Sequence, residues 1–205
     1  MRFTDTEGQP LIVDGKIGAV TWTALFGSHS LPEPKPAKGL LLDVLGVAIT
    51  QIGVQERPLG SNRGPEVDIF LKTVGLNPAA GSYAWCAAFV YWCFKQVSDK
   101  TGKPVSVPKT AGVLNMWNKA VQAGIKHIDT NTAVNNPLLI KPGFVFVMSF
   151  GRGTGHTGFV EGVEGGKLIT IEGNTNDGGS REGIGVFRRN SRKINQINKG
   201  FIDFG

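Results

Sequence analysis

The run Ala84-Trp85-Cys86-Ala87-Ala88-Phe89-Val90-Tyr91-Trp92-Cys93 carries no charge and follows the loop-forming cluster Gly81-Ser82-Tyr83. Its apolar, alanine-rich character is that of a buried helix beginning at or near Cys86, around which other elements must pack. A cysteine there has a chemical use, because the exposed N–H groups of a first helical turn and the positive end of the helix dipole favour thiolate over thiol. Cys86 is a candidate nucleophile. Cys93 lies about 10 Å further along a regular helix, too far for a disulfide with Cys86, and reads as packing.

A thiol nucleophile needs a base, and the base needs a group to orient it. The stretch Gly151-Arg152-Gly153-Thr154-Gly155-His156-Thr157-Gly158-Phe159-Val160 places His156 at the start of a strand, and Ile169-Thr170-Ile171-Glu172-Gly173-Asn174 places Glu172 and Asn174 on the next. Two positions apart on one strand, both can face the site. Glu172 is the preferred orienting group, with Asn174 supporting it.

Strand parity tests this idea. His156, Glu172 and Asn174 all carry even numbers, so in a regular hairpin they share a face only if the connecting loop has an odd number of residues. A two-residue Gly165-Gly166 turn would put His156 on the wrong side. The expectation is therefore a three-residue loop, Glu164-Gly165-Gly166, with His156 opposite Asn174 and Gly158 opposite Glu172. The other face would carry Phe159, Val163, Ile169 and Ile171.

Elsewhere the chain divides by composition. Residues 1–30 contain Asp14, Gly15, Gly18, Thr21, Ala24 and Leu25, a spacing similar to the closing half of the small helical peptidoglycan-binding domain. That domain's earlier helices have no counterpart here. Residues 31–38, Leu-Pro-Glu-Pro-Lys-Pro-Ala-Lys, form an extended, semi-rigid tether. From residue 39, apolar positions at three- and four-residue spacing predict a first helix. A second is expected over 65–74, a third from Cys86 to about 96 or 98, and a fourth over 111–123. Strand-like segments follow at 143–150, 156–163, 168–173, 184–189 and 199–204. Helices first and strands after imply an α+β domain with an antiparallel sheet, spanning residues 39–205.

The balance of 22 basic against 16 acidic residues gives a formal charge of +6, which suits solubility or a polyanionic partner such as a bacterial wall. No basic run is interleaved with aromatics, so nucleic acid is not expected as a partner. The two cysteines and three histidines show no Cys-x-x-Cys or His-x-x-x-His pair, and no metal or cofactor is expected. No stretch of about 18 apolar residues suggests membrane insertion, and the first residues lack a signal-peptide core.

With Tyr83-Ala84-Trp85-Cys86-Ala87-Ala88-Phe89-Val90, Gly155-His156-Thr157-Gly158 and Ile171-Glu172-Gly173-Asn174 in order, residues 39–205 resemble the CHAP domain, the cysteine, histidine-dependent amidohydrolase/peptidase family. The resemblance implies a papain-like fold, N-terminal helices packed on a C-terminal antiparallel sheet. It also implies a hydrolase acting as a monomer on bacterial peptidoglycan, at the cell wall or another extracytoplasmic site. The bond would be the N-acetylmuramoyl-L-alanine amide or a peptide bond of the stem or cross-bridge. Carried over by position, Cys86 is the nucleophile, His156 the base, and Glu172 and Asn174 the polar partners. Tyr83, Trp85 and Asn62 are candidate substrate contacts, with a turn role the competing reading for Asn62 and core packing for Trp85. A glutamine six residues before the nucleophile, as in papain-like enzymes, is replaced by Ala80, and residues 76–83 lack the carboxylates of calcium-binding family members. Two other functions fit the same residues. One is a cysteine amidase on a non-wall amide, and the other is a wall-binding module without catalysis.

Overall fold

The computed structural model describes residues 39–176 and 183–205. The N-terminal peptidoglycan-binding-like segment and the proline-rich tether fall outside the described residues. Among those described, the helices are α1 (Leu40–Thr50), α2 (Pro65–Thr73), α3 (Cys86–Thr101), α4 (Val113–Gln122) and α5 (Thr130–Asn135). The strands are β1 (His127–Ile128), β2 (Val145–Gly151), β3 (Thr154–Glu164), β4 (Lys167–Thr175), β5 (Gly185–Lys193) and β6 (Gly200–Ile202). All pair antiparallel in one sheet of order β1-β6-β2-β3-β4-β5. This is the expected α+β arrangement, with four helices before the first strand.

α3 is the centre of the fold because it is enclosed on several sides. It packs on α1 and α2 and on β3 and β4, so Cys86, every residue from Ala87 to Tyr91, Cys93, Phe94 and Val97 are buried. Phe89 sits between Phe70 of α2 and Phe159 of β3, with ring centroids 5.4 and 6.2 Å away. Burying such a ring contributes roughly 2–3 kcal/mol. The helix runs past the expected 96–98 to Thr101, since no stop signal intervenes before Gly102. At Gly173 the sheet comes so close that a Cβ would lie 2.8 Å from Phe89 and Trp85 ring atoms. A second apolar cluster, including Phe146, Val160, Leu168 and Phe201, is formed by other residues of the sheet and packs with α5.

The β3–β4 hairpin corrects one expectation and keeps its purpose. The turn is the two-residue Gly165-Gly166, with φ of 55° and 74°, the double positive φ of a type I′ turn. Pairing runs Glu164↔Lys167, Val163↔Leu168 and Gly162↔Ile169, then shifts to Val160↔Thr170 and Phe159↔Ile171. Glu161 is an extra residue, a β-bulge, and it supplies the odd count that the loop does not. Its carboxylate accepts from Arg188 Nε and Nη2 at 2.7 and 2.9 Å. The bulge also divides the expected apolar face: Phe159 and Ile171 join the cluster around α3, whereas Val163 packs on the second cluster.

Candidate active site

Three elements converge at the start of α3. Cys86 is the first residue of that helix, preceded by Trp85 as its N-cap. His156 lies near the start of β3, opposite Met148 of β2. Glu172 comes from β4, where the bulge has restored it to the face of His156. The imidazole Nε2 and Glu172 Oε2 are 2.8 Å apart, and the ring lines one cleft with Cys86, whose side chain acts on its protonation. Thus Glu172, rather than Asn174, meets the imidazole.

Electrostatics follow from this contact geometry. Burial acts to lower the pKa of His156, but hydrogen bonds to Cys86 and Glu172, with the charges of both, outweigh it and push the group up to about 9. Burial likewise acts to raise Glu172, and is overcome by hydrogen bonds from Arg192 and His156, which leave the carboxyl well below its usual range. Cys93 behaves in the opposite way. It is buried and burial pushes its thiol well up, which suits a packing residue and not a nucleophile.

A cleft of about 550 Å³ opens beside these groups. Cys86, Gly112 and Val113 form its helical wall, and Met148, Phe150 and His156 its sheet wall. Phe150 is 46% exposed. Asn174 also lines the cleft. It has φ 54° and sits where β4 has one more residue than β5 between the pairs Glu172↔Phe187 and Thr175↔Gly185. This is a second bulge, which re-aims the side chain.

The candidate substrate contacts are placed differently. Trp85 is fully buried, and its indole Nε1 donates to Glu56 Oε1 at 2.8 Å; its side chain belongs to the core and offers no surface to a substrate. Tyr83 is half-buried, its ring against Gly81 and the α3 cluster. Asn62 takes a left-handed turn at φ 56°. Its backbone N–H donates to Glu56 Oε2 at 3.0 Å and its Nδ2 to Ser82 Oγ at 3.0 Å. None of the three forms the cleft wall.

Other residues complete the site without having been expected from the sequence. Arg192 Nε and Nη2 donate to Glu172 Oε1 and Oε2 at 2.5 and 2.6 Å. Thr170 Oγ1 donates to Oε1 at 2.6 Å, and Arg189 Nη1 lies 3.7 Å from Oε2. Thr170 could have been found by parity, two positions before Glu172. Arg192 lies in the basic run Arg188-Arg189-Asn190-Ser191-Arg192-Lys193, which reads as a solvated strand until its pairing is known.

The family comparison adds to this geometry. The family model of the CHAP domain matches residues 78–174, a segment that contains Cys86, His156, Glu172 and Asn174. The chain carries a CHAP domain. CHAP domains are generally cysteine- and histidine-dependent amidohydrolases or peptidases that act on peptidoglycan. No curated protein and no solved structure matches the chain significantly. The CHAP match ends at Asn174, so α1, α2, β5 and β6 lie outside it.

Proposed function

We propose that this CHAP domain is a peptidoglycan hydrolase that cuts an amide bond at the cell wall through a cysteine nucleophile. The bond is the N-acetylmuramoyl-L-alanine amide or a peptide bond of the stem or cross-bridge. The observation that carries the proposal is the imidazole of His156, bonded to Glu172 and lining the same open cleft as Cys86.

The chemistry proceeds in two stages. Cys86 sulfur attacks the amide carbonyl while His156 holds the proton taken from the thiol. The backbone N–H of Cys86, at the helix start, stabilises the oxyanion. When the C–N bond breaks, His156 passes its proton to the leaving amine and a thioester remains on Cys86. Water, deprotonated by His156, then cleaves the thioester and releases the acid. Glu172 fixes the ring orientation throughout and stabilises the imidazolium. Asn174, on the cleft wall, supplies a polar contact to the bound chain.

The test is Cys86→Ala on purified sacculi. The variant should bind them and release no fragments, whereas lysis at the wild-type rate would exclude Cys86 as the nucleophile. Mass spectrometry of the fragments released by the wild type then names the bond: a free lactyl end identifies the amidase reaction, and a cut stem or cross-bridge identifies the peptidase reaction.

A further inference from the structure

We propose that Arg192 is a positioning residue for this site, its guanidinium fork fixing the plane of the Glu172 carboxylate and keeping it an acceptor for His156. The proposal rests on the assignment of Cys86, His156 and Glu172 as nucleophile, base and orienting group. It adds a residue that lies outside the segment matched by the family.

A carboxylate offers about four lone-pair positions, and four side-chain donors meet the buried Glu172. Oε1 accepts from Thr170 Oγ1 and Arg192 Nε, and Oε2 accepts from His156 Nε2 and Arg192 Nη2. Half of these bonds come from one rigid fork, the two-point geometry that fixes orientation as well as adding strength. The fork is itself held. Its carbon lies 5.4 Å from the centre of the Phe146 ring, Nη1 is 3.5 Å from Met148 Sδ, and the side chain is 12% exposed. One extra residue in β5, between the pairs Leu168↔Arg192 and Thr170↔Arg189, sets the register of the two arginines along β4.

The consequence of losing the fork follows from burial, which favours the protonated carboxyl. A protonated Glu172 would place an O–H where the imidazole N–H needs an acceptor, and would remove the negative charge that supports the imidazolium. The charged and titratable groups around Glu172 are His156 from β3 and Arg189 and Arg192 from β5, with Cys86 of α3 acting through the imidazole. Arg189 leaves positive charge at 3.7 Å when Arg192 is replaced, but no two-point contact. Substitution of Arg192 therefore tests alignment more than net charge.

The experiment compares the wild type, Arg192→Met, Arg192→Lys and Cys86→Ala on dye-labelled sacculi, following initial release rates from acid to alkaline pH. Arg192→Met is expected to lose about ten- to a hundredfold in rate near neutrality, the scale set by outer-shell partners of metal-bound histidines. Its acid limb should move up by about one pH unit or more as Glu172 gains a proton in the working range. Arg192→Lys should keep the acid limb near that of the wild type and still lose rate, because an ammonium group makes a single point of contact. A purely structural role would lower the thermal midpoint and scale the rate equally at every pH. Wild-type rate and limbs in Arg192→Met would overturn the proposal. If that variant does not fold, Arg192→Lys decides: a reduced rate with an unchanged thermal midpoint supports the proposal, and a wild-type rate, or a reduced rate with a lowered midpoint, overturns it. Lysis by Cys86→Ala would instead defeat the nucleophile assignment, whatever the arginine variants do.

Discussion

Two buried carboxyl groups are linked to Cys86, one through Trp85 and one through His156, and the donors around them differ in kind. Glu56, in the loop before α2, accepts from the Trp85 indole and the Asn62 backbone, both neutral. Glu172 accepts from a guanidinium, an imidazole and a hydroxyl. Both arrangements meet the requirement that a buried acceptor be hydrogen-bonded. The Glu56 contact ties a loop to the residue that caps α3, so it fixes where the sulfur sits. The Glu172 contact joins groups whose protonation is coupled, so it governs what the sulfur can do.

The largest effect should come from Glu172→Gln, which keeps the shape of the side chain and removes its charge. Release from sacculi should fall by about 10⁴-fold, the loss seen when the orienting carboxylate of a catalytic triad becomes an amide. The alkaline limb should also descend. Cys86 and Glu172 together raise His156 to about 9 against the lowering effect of burial, so without the carboxylate's charge the imidazolium loses its proton at a lower pH. An unchanged alkaline limb in the rate profile would break the contrast.

Glu56→Gln is expected to act on stability instead. Its amide N–H₂ must face an indole N–H or a backbone N–H, leaving a buried donor unmatched at about 1–3 kcal/mol. Urea unfolding should register that loss, while the rate profile keeps its shape against pH. A shift of the alkaline limb here would mean that the two carboxyl groups are not separable.

Asn62→Gly should have the smallest effect. Glycine accepts the left-handed φ and retains the backbone N–H to Glu56, so only the Ser82 contact is lost, within about 1 kcal/mol. A tenfold fall in activity with unfolding unchanged would instead identify Asn62 as a substrate contact.

What could be read from the sequence was local. The apolar run before Cys93 announced α3, glycine and proline marked the ends of elements, and Cys86, His156 and Glu172 stood out through residue type and order. What could not be read depended on how strands slide against each other. Nothing in the basic run of β5 distinguishes Arg192 from Arg188, yet one pairs with Glu172 and the other with Glu161. Trp85 was legible as apolar, but its bond to a carboxyl group 29 positions earlier was not. The parity argument identified the requirement that His156 and Glu172 share a face and assigned it to the wrong part of the hairpin, because bulges leave no compositional signature.

Glu161 gives this hairpin slack in its length. A relative lacking that residue could keep the same tight turn, straighten the strand and still present imidazole and carboxylate to one another. A relative carrying it absorbs the surplus as a kink. The number of residues between the two motifs is therefore a poor ruler for recognising such sites, and single insertions or losses within β3 can be silent for chemistry performed at its far end.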